Sequence, residues 1–169
     1  MREEADVNVP EPDEGFTPLM YGATYNDGAV INSLLRSPLL NLNSQNRFGM
    51  TALMLAINVG ATDAACLLID QPVTLLNTKA LSGVTAFLLA IKKGNERVAE
   101  KLLAQKRCIP THTEYRKAVR KSLKEHWGVV LGCLMKRTAC EITEDERRQV
   151  RTVTDVDNGC QHRVSQNVF

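Results

Sequence analysis

The sequence reads as an all-α protein made of stacked helix-turn-helix units with loops projecting between them. Three observations carry that reading: Gly15, Gly49 and Gly83 stand 34 residues apart, Thr17, Thr51 and Thr85 keep the same interval, and a short apolar run follows each threonine. A run such as "TALMLAI" could alone be a buried strand or a buried helix, and its recurrence with a threonine in front makes helix the choice. A chain of 169 residues, 44% hydrophobic and 24% charged, holds one domain with a sizeable core. Its formal net charge of +2 announces neither a nucleic-acid nor a membrane partner.

Taken in order, residues 1–10 form an acidic N-terminus read as disordered, since the first fourteen residues hold six carboxylates against Arg2. The first repeated stretch, "GFTPLMYGATYN", has Thr17 to cap a helix and Pro18 at the first helical position, where no donor is needed. Asn26, Gly60 and Gly94 follow the threonines by nine residues and are types that reach a left-handed conformation to end a helix. Each first helix is therefore about two turns. A second helix follows in each unit, "AVINSLL", "AACLLI" and "RVAEKLL", again in 34-residue register. Between units, "RSPLLNLNSQNRFG" and "DQPVTLLNTKALSG" are rich in turn formers and read as projecting hairpins.

These residues resemble the ankyrin repeats, whose unit is a hairpin followed by two antiparallel helices opening with Gly-x-Thr-Pro-Leu-His-x-Ala. Gly15, Thr17, Pro18 and Leu19 match most closely. In the next two units Ala52 and Ala86 replace the proline, Met20, Met54 and Leu88 occupy the histidine position, and the period is one residue longer than usual. The resemblance implies an ankyrin-repeat solenoid with projecting β-hairpin loops. A degenerate fourth unit sets Thr113, Tyr115, Ala118 and Val119 over Thr85, Phe87, Ala90 and Ile91, at a spacing of 28, and Val130 and Leu131 over Leu102 and Leu103. Its many cations suit a terminal repeat that faces water. The repeat domain so read spans residues 11–136, in units of about 13–46, 47–80, 81–110 and 111–136. Residues 137–169 carry a short helix in "ITEDERRQVR", capped by Thr143, and a poorly ordered tail.

The resemblance also implies where recognition takes place: on hairpin tips and the concave helix face of a protein-binding module that is not an enzyme. Phe16, Arg47, Phe48, Met50, Leu81 and Val84 hold the hairpin positions beside the repeat glycines. An apolar row there resembles the centre of a protein interface, the alternative being packing between adjacent hairpins. Tyr25, Asn58, Val59, Lys92, Lys93, Arg120 and Lys121, with Thr24, are expected to line the concave face. That face would run from neutral and aromatic to strongly basic and attract an acidic or apolar-acidic segment of another protein, unless the cations merely solubilise the cap. The expected action is that of an adaptor, a scaffold or a stoichiometric inhibitor, by a chain monomeric on its own.

Other chemistry has little to stand on. Cys66, Cys108, Cys133, Cys140 and Cys160 form an odd set without repeated spacing, which suits reduced thiols. Cys133, Cys140, Cys160 and His162 match no zinc pattern, so neither metal nor cofactor is expected. "NVGATDAA" lacks the lysine of a phosphate loop, and His112 and His126 have no nucleophile beside them. Anion or nucleic-acid binding through the basic residues between Lys92 and Lys124 is the alternative function, with Tyr115 and Trp127 as its interleaved aromatics. No secretory start and no apolar run near 18 residues are present, so the expected compartment is the cytoplasm, or the nucleus. Asn43 and Asn77 hold the position that some ankyrin proteins present to an asparaginyl hydroxylase, the alternative being hydrogen bonding in a turn.

Overall fold

The computed structural model describes residues 6–136. The helix expected at Thr143, the tail, Cys140, Cys160 and His162 lie outside the described residues. Within them eight helices follow one another: α1 (Pro18–Thr24), α2 (Gly28–Leu34), α3 (Ala52–Val59), α4 (Thr62–Asp70), α5 (Ala86–Lys93), α6 (Glu96–Ala104), α7 (His112–Glu125) and α8 (Gly128–Lys136). They divide between two units, Met1–Ile109 and Pro110–Phe169.

In the first unit each threonine caps as its position requires. The side-chain oxygens of Thr17, Thr51 and Thr85 accept the backbone N–H of Met20, Met54 and Leu88. The Met20 sulfur in turn accepts the Thr17 N–H, so a methionine completes the box that a glutamate ordinarily closes. Gly60 and Gly94 end α3 and α5 in left-handed conformation, with φ of 80° and 77°. Asn26, also left-handed, stands just past the α1 cap and does a second job: its Oδ1 accepts the Ala64 N–H at 3.0 Å, near the start of α4, whose own N-cap residue, Ala61, supplies no side-chain bond.

Helices α1, α3 and α5 stack side by side, α2, α4 and α6 form a second layer, and the helices of each repeat pack on each other. Between the layers Leu19, Met20, Ile31, Leu53, Met54, Ile57, Leu68, Ile69, Phe87, Ile91, Leu102 and Leu103 are buried. Each full burial of such a side chain contributes about 1.5–3 kcal/mol. The stretch of α3 from Leu53 to Ile57 is buried throughout because it has neighbours on both sides as well as α4 behind it.

The hairpins are tight turns rather than extended ribbons, with one isolated β-bridge, Lys79 with Thr85, among the described residues. Each is closed by a backbone bond: Glu11 N–H to Phe16 O, Asn46 N–H to Met50 O, and Ala80 N–H to Val84 O. Successive hairpins are also joined, Arg47 N–H to Glu14 O at 2.9 Å and Leu81 N–H to Phe48 O at 3.0 Å. Behind them Asn8, Asn43 and Asn77 repeat one arrangement. Each side-chain amide donates to a carbonyl of the following repeat's loop (Leu39, Val73, Arg107), and each side-chain oxygen accepts an N–H two residues further on (Asn41, Leu75, Ile109). The turn bonding expected of Asn43 and Asn77 is thus a staple between repeats.

Two expectations are corrected. Residues 6–10, read as disordered from their acidity, are held in place: Asn8 is stapled to the 39–41 loop, and the segment leads into the first hairpin at Glu11. In the second unit Thr111, not Thr113, caps α7, and its N–H and hydroxyl both reach the Glu114 carboxylate at 2.8 Å in a full capping box. Helix α7 therefore begins two residues earlier, takes in His112, and runs for 14 residues before His126 ends it with φ 58°. The buried set Tyr115, Ala118, Val119, Trp127, Val130, Leu131 and Leu134 holds α7 to α8, and the Tyr115 hydroxyl donates to the Leu134 carbonyl.

Candidate docking surface

In the first unit the hairpin register brings large apolar side chains to adjacent tips and leaves them in solvent. Phe48 is 54% exposed and Leu81 81%, and the bond between their backbones makes them neighbours. Met50 and Val84, which close the same two hairpins, are half-buried, as expected of residues that share their surface with the hairpin beneath. Phe16 is half-buried too, its ring 5.3 Å from that of Tyr21 at an interplanar angle of 43°. The alternative of packing between hairpins thus applies to Phe16, Met50 and Val84 in part, and not to Phe48 or Leu81.

On the exposed side of the α1, α3, α5 layer, Tyr25 and Val59 occupy the same register position and are 77% and 50% exposed. Asn58, Lys92 and Lys93 are exposed beside them. Asn58, Val59 and Lys93 line one open cleft between the end of α3 and the turn from α5 into α6, with Ile57, Gly60, Gly94, Asn95 and Glu96 completing it. Arg47 is exposed, but its guanidinium donates to the Pro12 carbonyl of the preceding hairpin. Its first role is therefore to tie two hairpins together.

Arg120 and Lys121 belong to the second unit. Arg120 is exposed, whereas Lys121 is half-buried and paired with Glu125 one turn along α7. Lys117 and Lys124 are, with Arg120, exposed cations of the same helix.

Electrostatics differ from expectation at the other end. The first hairpin is acidic: Asp13 and Glu14 are exposed at its tip, and Glu11 folds back beneath it. The Asp13 N–H above all, with those of Glu14, Phe16 and Gly15, holds the Glu11 carboxyl below its ordinary pKa against the opposing effect of burial. Partial burial, and then the charges of Glu11, Glu14 and Asp13 with Tyr25 beside them, raise the Tyr21 phenol above the ordinary tyrosine value. Tyr21 was not singled out from sequence, although it stands in register with Leu55 and Leu89 on the same helix face.

Among the described residues no three His, Cys, Asp or Glu side chains converge as metal ligands, and no helix is long and apolar enough to cross a membrane. Cys66, Cys108 and Cys133 are thiols outside any disulfide. Comparison with known proteins agrees with the repeat architecture. The family model for ankyrin repeats, in three copies, matches residues 19–114. No curated protein sequence matches the chain. Among solved structures, the chain is similar to one from the complex of the Bd0816 predatory endopeptidase of Bdellovibrio bacteriovorus with immunity protein Bd3460, at 25% identity and a TM-score of 0.56. That likeness covers 71% of this chain and 63% of the solved one.

Proposed function

The chain belongs to the ankyrin-repeat family, and on that premise we propose that it binds a partner protein without doing chemistry, through the hairpin tips and the exposed side of the α1, α3, α5 layer. Ankyrin repeats are protein-interaction modules. The observation that carries this reading is the pair Phe48 and Leu81, large apolar side chains on adjacent tips that the fold leaves uncovered. Tyr25 and Val59 extend the same apolar character along the helix ends. Because the tips are tied by backbone bonds to each other, the surface is largely preformed and little ordering cost falls on binding.

Of adaptor, scaffold and stoichiometric inhibitor, the last draws support from the likeness to a chain of an endopeptidase–immunity protein complex. A docked solenoid face blocks whatever it covers, and no catalytic group is required for that. The alternative of nucleic-acid binding on α7 loses its stacking platform, since Tyr115 and Trp127 are buried in the second unit.

Cross-linking capture by the full chain tests the proposal. Changing Phe48 and Leu81 together to aspartate should weaken capture of the wild-type partner by at least about tenfold, with helicity unchanged because both side chains are in solvent. Equal capture by the double variant would remove the hairpin tips from the interface.

A further inference from the structure

The charged groups around the apolar tips are not of one sign. At the first-repeat end stand Asp13 and Glu14, exposed, with the tied carboxylate of Glu11 and the rings of Phe16, Tyr21 and Tyr25. At the third-repeat end stand Lys92 and Lys93, also exposed. In chain order Phe48, Val59 and Leu81 fall between them, the first two in the second repeat and Leu81 at the hairpin that opens the third. Countercharges within the unit reduce the pattern without inverting it: the Arg47 guanidinium keeps its charge while donating to the Pro12 carbonyl and stands alone against the carboxylates of Glu11, Asp13 and Glu14, and Glu96 lines the cleft beside Lys93 but leaves Lys92 beyond that lining.

Resting on the reading of this surface as a docking site, we infer that the partner segment is bipolar: a cationic side chain docks against Tyr25 and the carboxylates of the first hairpin, an apolar residue sits on Phe48 and Leu81, and an acidic residue meets Lys92 and Lys93. Electron-rich ring faces and carboxylates both favour a cation, and Tyr25, the most open of the three rings, offers its face to one. From Tyr25 to Lys93, its register equivalent two repeats on, two steps of helix packing cover about 20 Å, which is the reach of about six residues of extended chain. A segment with Lys or Arg about six positions from Asp or Glu, and an apolar residue midway, matches the spacing. A uniformly acidic segment, by contrast, meets repulsion at Asp13 and Glu14.

The test uses the full chain and three fluorescein-labelled nine-residue peptides with one apolar centre. The first has two lysines at one end and two glutamates at the other, the second is glutamate at both ends, and the third is lysine at both. Both directions of the first peptide are made. One direction of the bipolar peptide should bind at least tenfold tighter than either uniform peptide. Asp13→Lys with Glu14→Lys should abolish that preference and favour the all-glutamate peptide, and Lys92→Glu with Lys93→Glu should favour the all-lysine one. An all-glutamate peptide that binds wild type as tightly as the bipolar one overturns the inference, as does failure of all three to bind. Persistence of peptide binding after Phe48→Asp with Leu81→Asp would instead sink the docking reading itself. Loss of the charge preference with that apolar dependence intact sinks only the bipolar partner.

Discussion

At Gly49 a β-carbon would lie 2.7 Å from the Leu81 backbone nitrogen, and the residue has φ 71°. Gly83 has nearly the same φ, 74°, with nothing within 4 Å of the position a β-carbon would take. The pair separates two costs that usually come together. Gly83→Ala should lose about 1–2 kcal/mol for the left-handed conformation alone. Gly49→Ala carries the same cost plus that of pushing one hairpin off the next, and should lose at least about 1 kcal/mol more. Urea denaturation of the two variants measures the difference. Equal shifts in midpoint would mean that the hairpin spacing is soft. Because Leu81 bonds to Phe48 across this contact, Gly49→Ala should also weaken partner capture where Gly83→Ala does not.

The first hairpin is built around Glu11 in place of the hydrophobic and turn residues that shape the other two. Its carboxylate accepts N–H bonds from Asp13, Glu14 and Phe16, and its pKa is lowered by them. A carboxyl whose folded pKa lies below its unfolded one stabilises the fold above the unfolded value, about 4.3. That contribution is lost as the pH falls from there through the folded pKa. Wild type should therefore be more stable than Glu11→Gln at neutral pH, and the gap should be smaller at a pH well below the unfolded value. Denaturation of both proteins at the two pH values checks it, and a gap that stays constant would assign the difference to something other than the charge.

Much of this element structure was legible because each repeat buries the same positions: the 34-residue interval of Thr17, Thr51 and Thr85 reappears as three side-chain caps. What escaped was whatever depends on a partner in another repeat. Asn43 reads as a turn former in its own loop, and nothing local says that both ends of its amide reach the next one. Its echo in Asn8, 35 residues upstream, was a usable signal that residues 6–14 belong to the first repeat and not to a loose tail. Thr111-x-x-Glu114 was a second, since a capping box outranks the lone Thr113 as a helix start. The apolar tips were legible at Phe48 and Leu81, whereas the acidity of the surface at the first repeat was not. Composition counted those carboxylates as tail, and only the hairpin places them beside Tyr21 and Tyr25.

For the chain as a whole, 21 cations against 19 anions conceal an uneven distribution. Helix α7 carries Arg116, Lys117, Arg120, Lys121 and Lys124 against Glu114 and Glu125, while the first hairpin is acidic. Two binding modes of opposite salt behaviour follow from the two regions. A ligand held by phosphate contacts to α7 would lose about a thousandfold or more in affinity over a tenfold rise in salt. A partner held on Phe48 and Leu81 keeps its apolar contact at any salt, and screening removes only the weaker charge contacts around it. Capture should therefore fall by no more than about tenfold between about 50 and 500 mM salt. Reversing Lys117 and Lys124 to glutamate should leave it within about twofold, since neither side chain belongs to the proposed contact on the first unit. A steep salt slope together with loss of binding in that α7 variant would move the function to the second unit, and the apolar tips would then be structural.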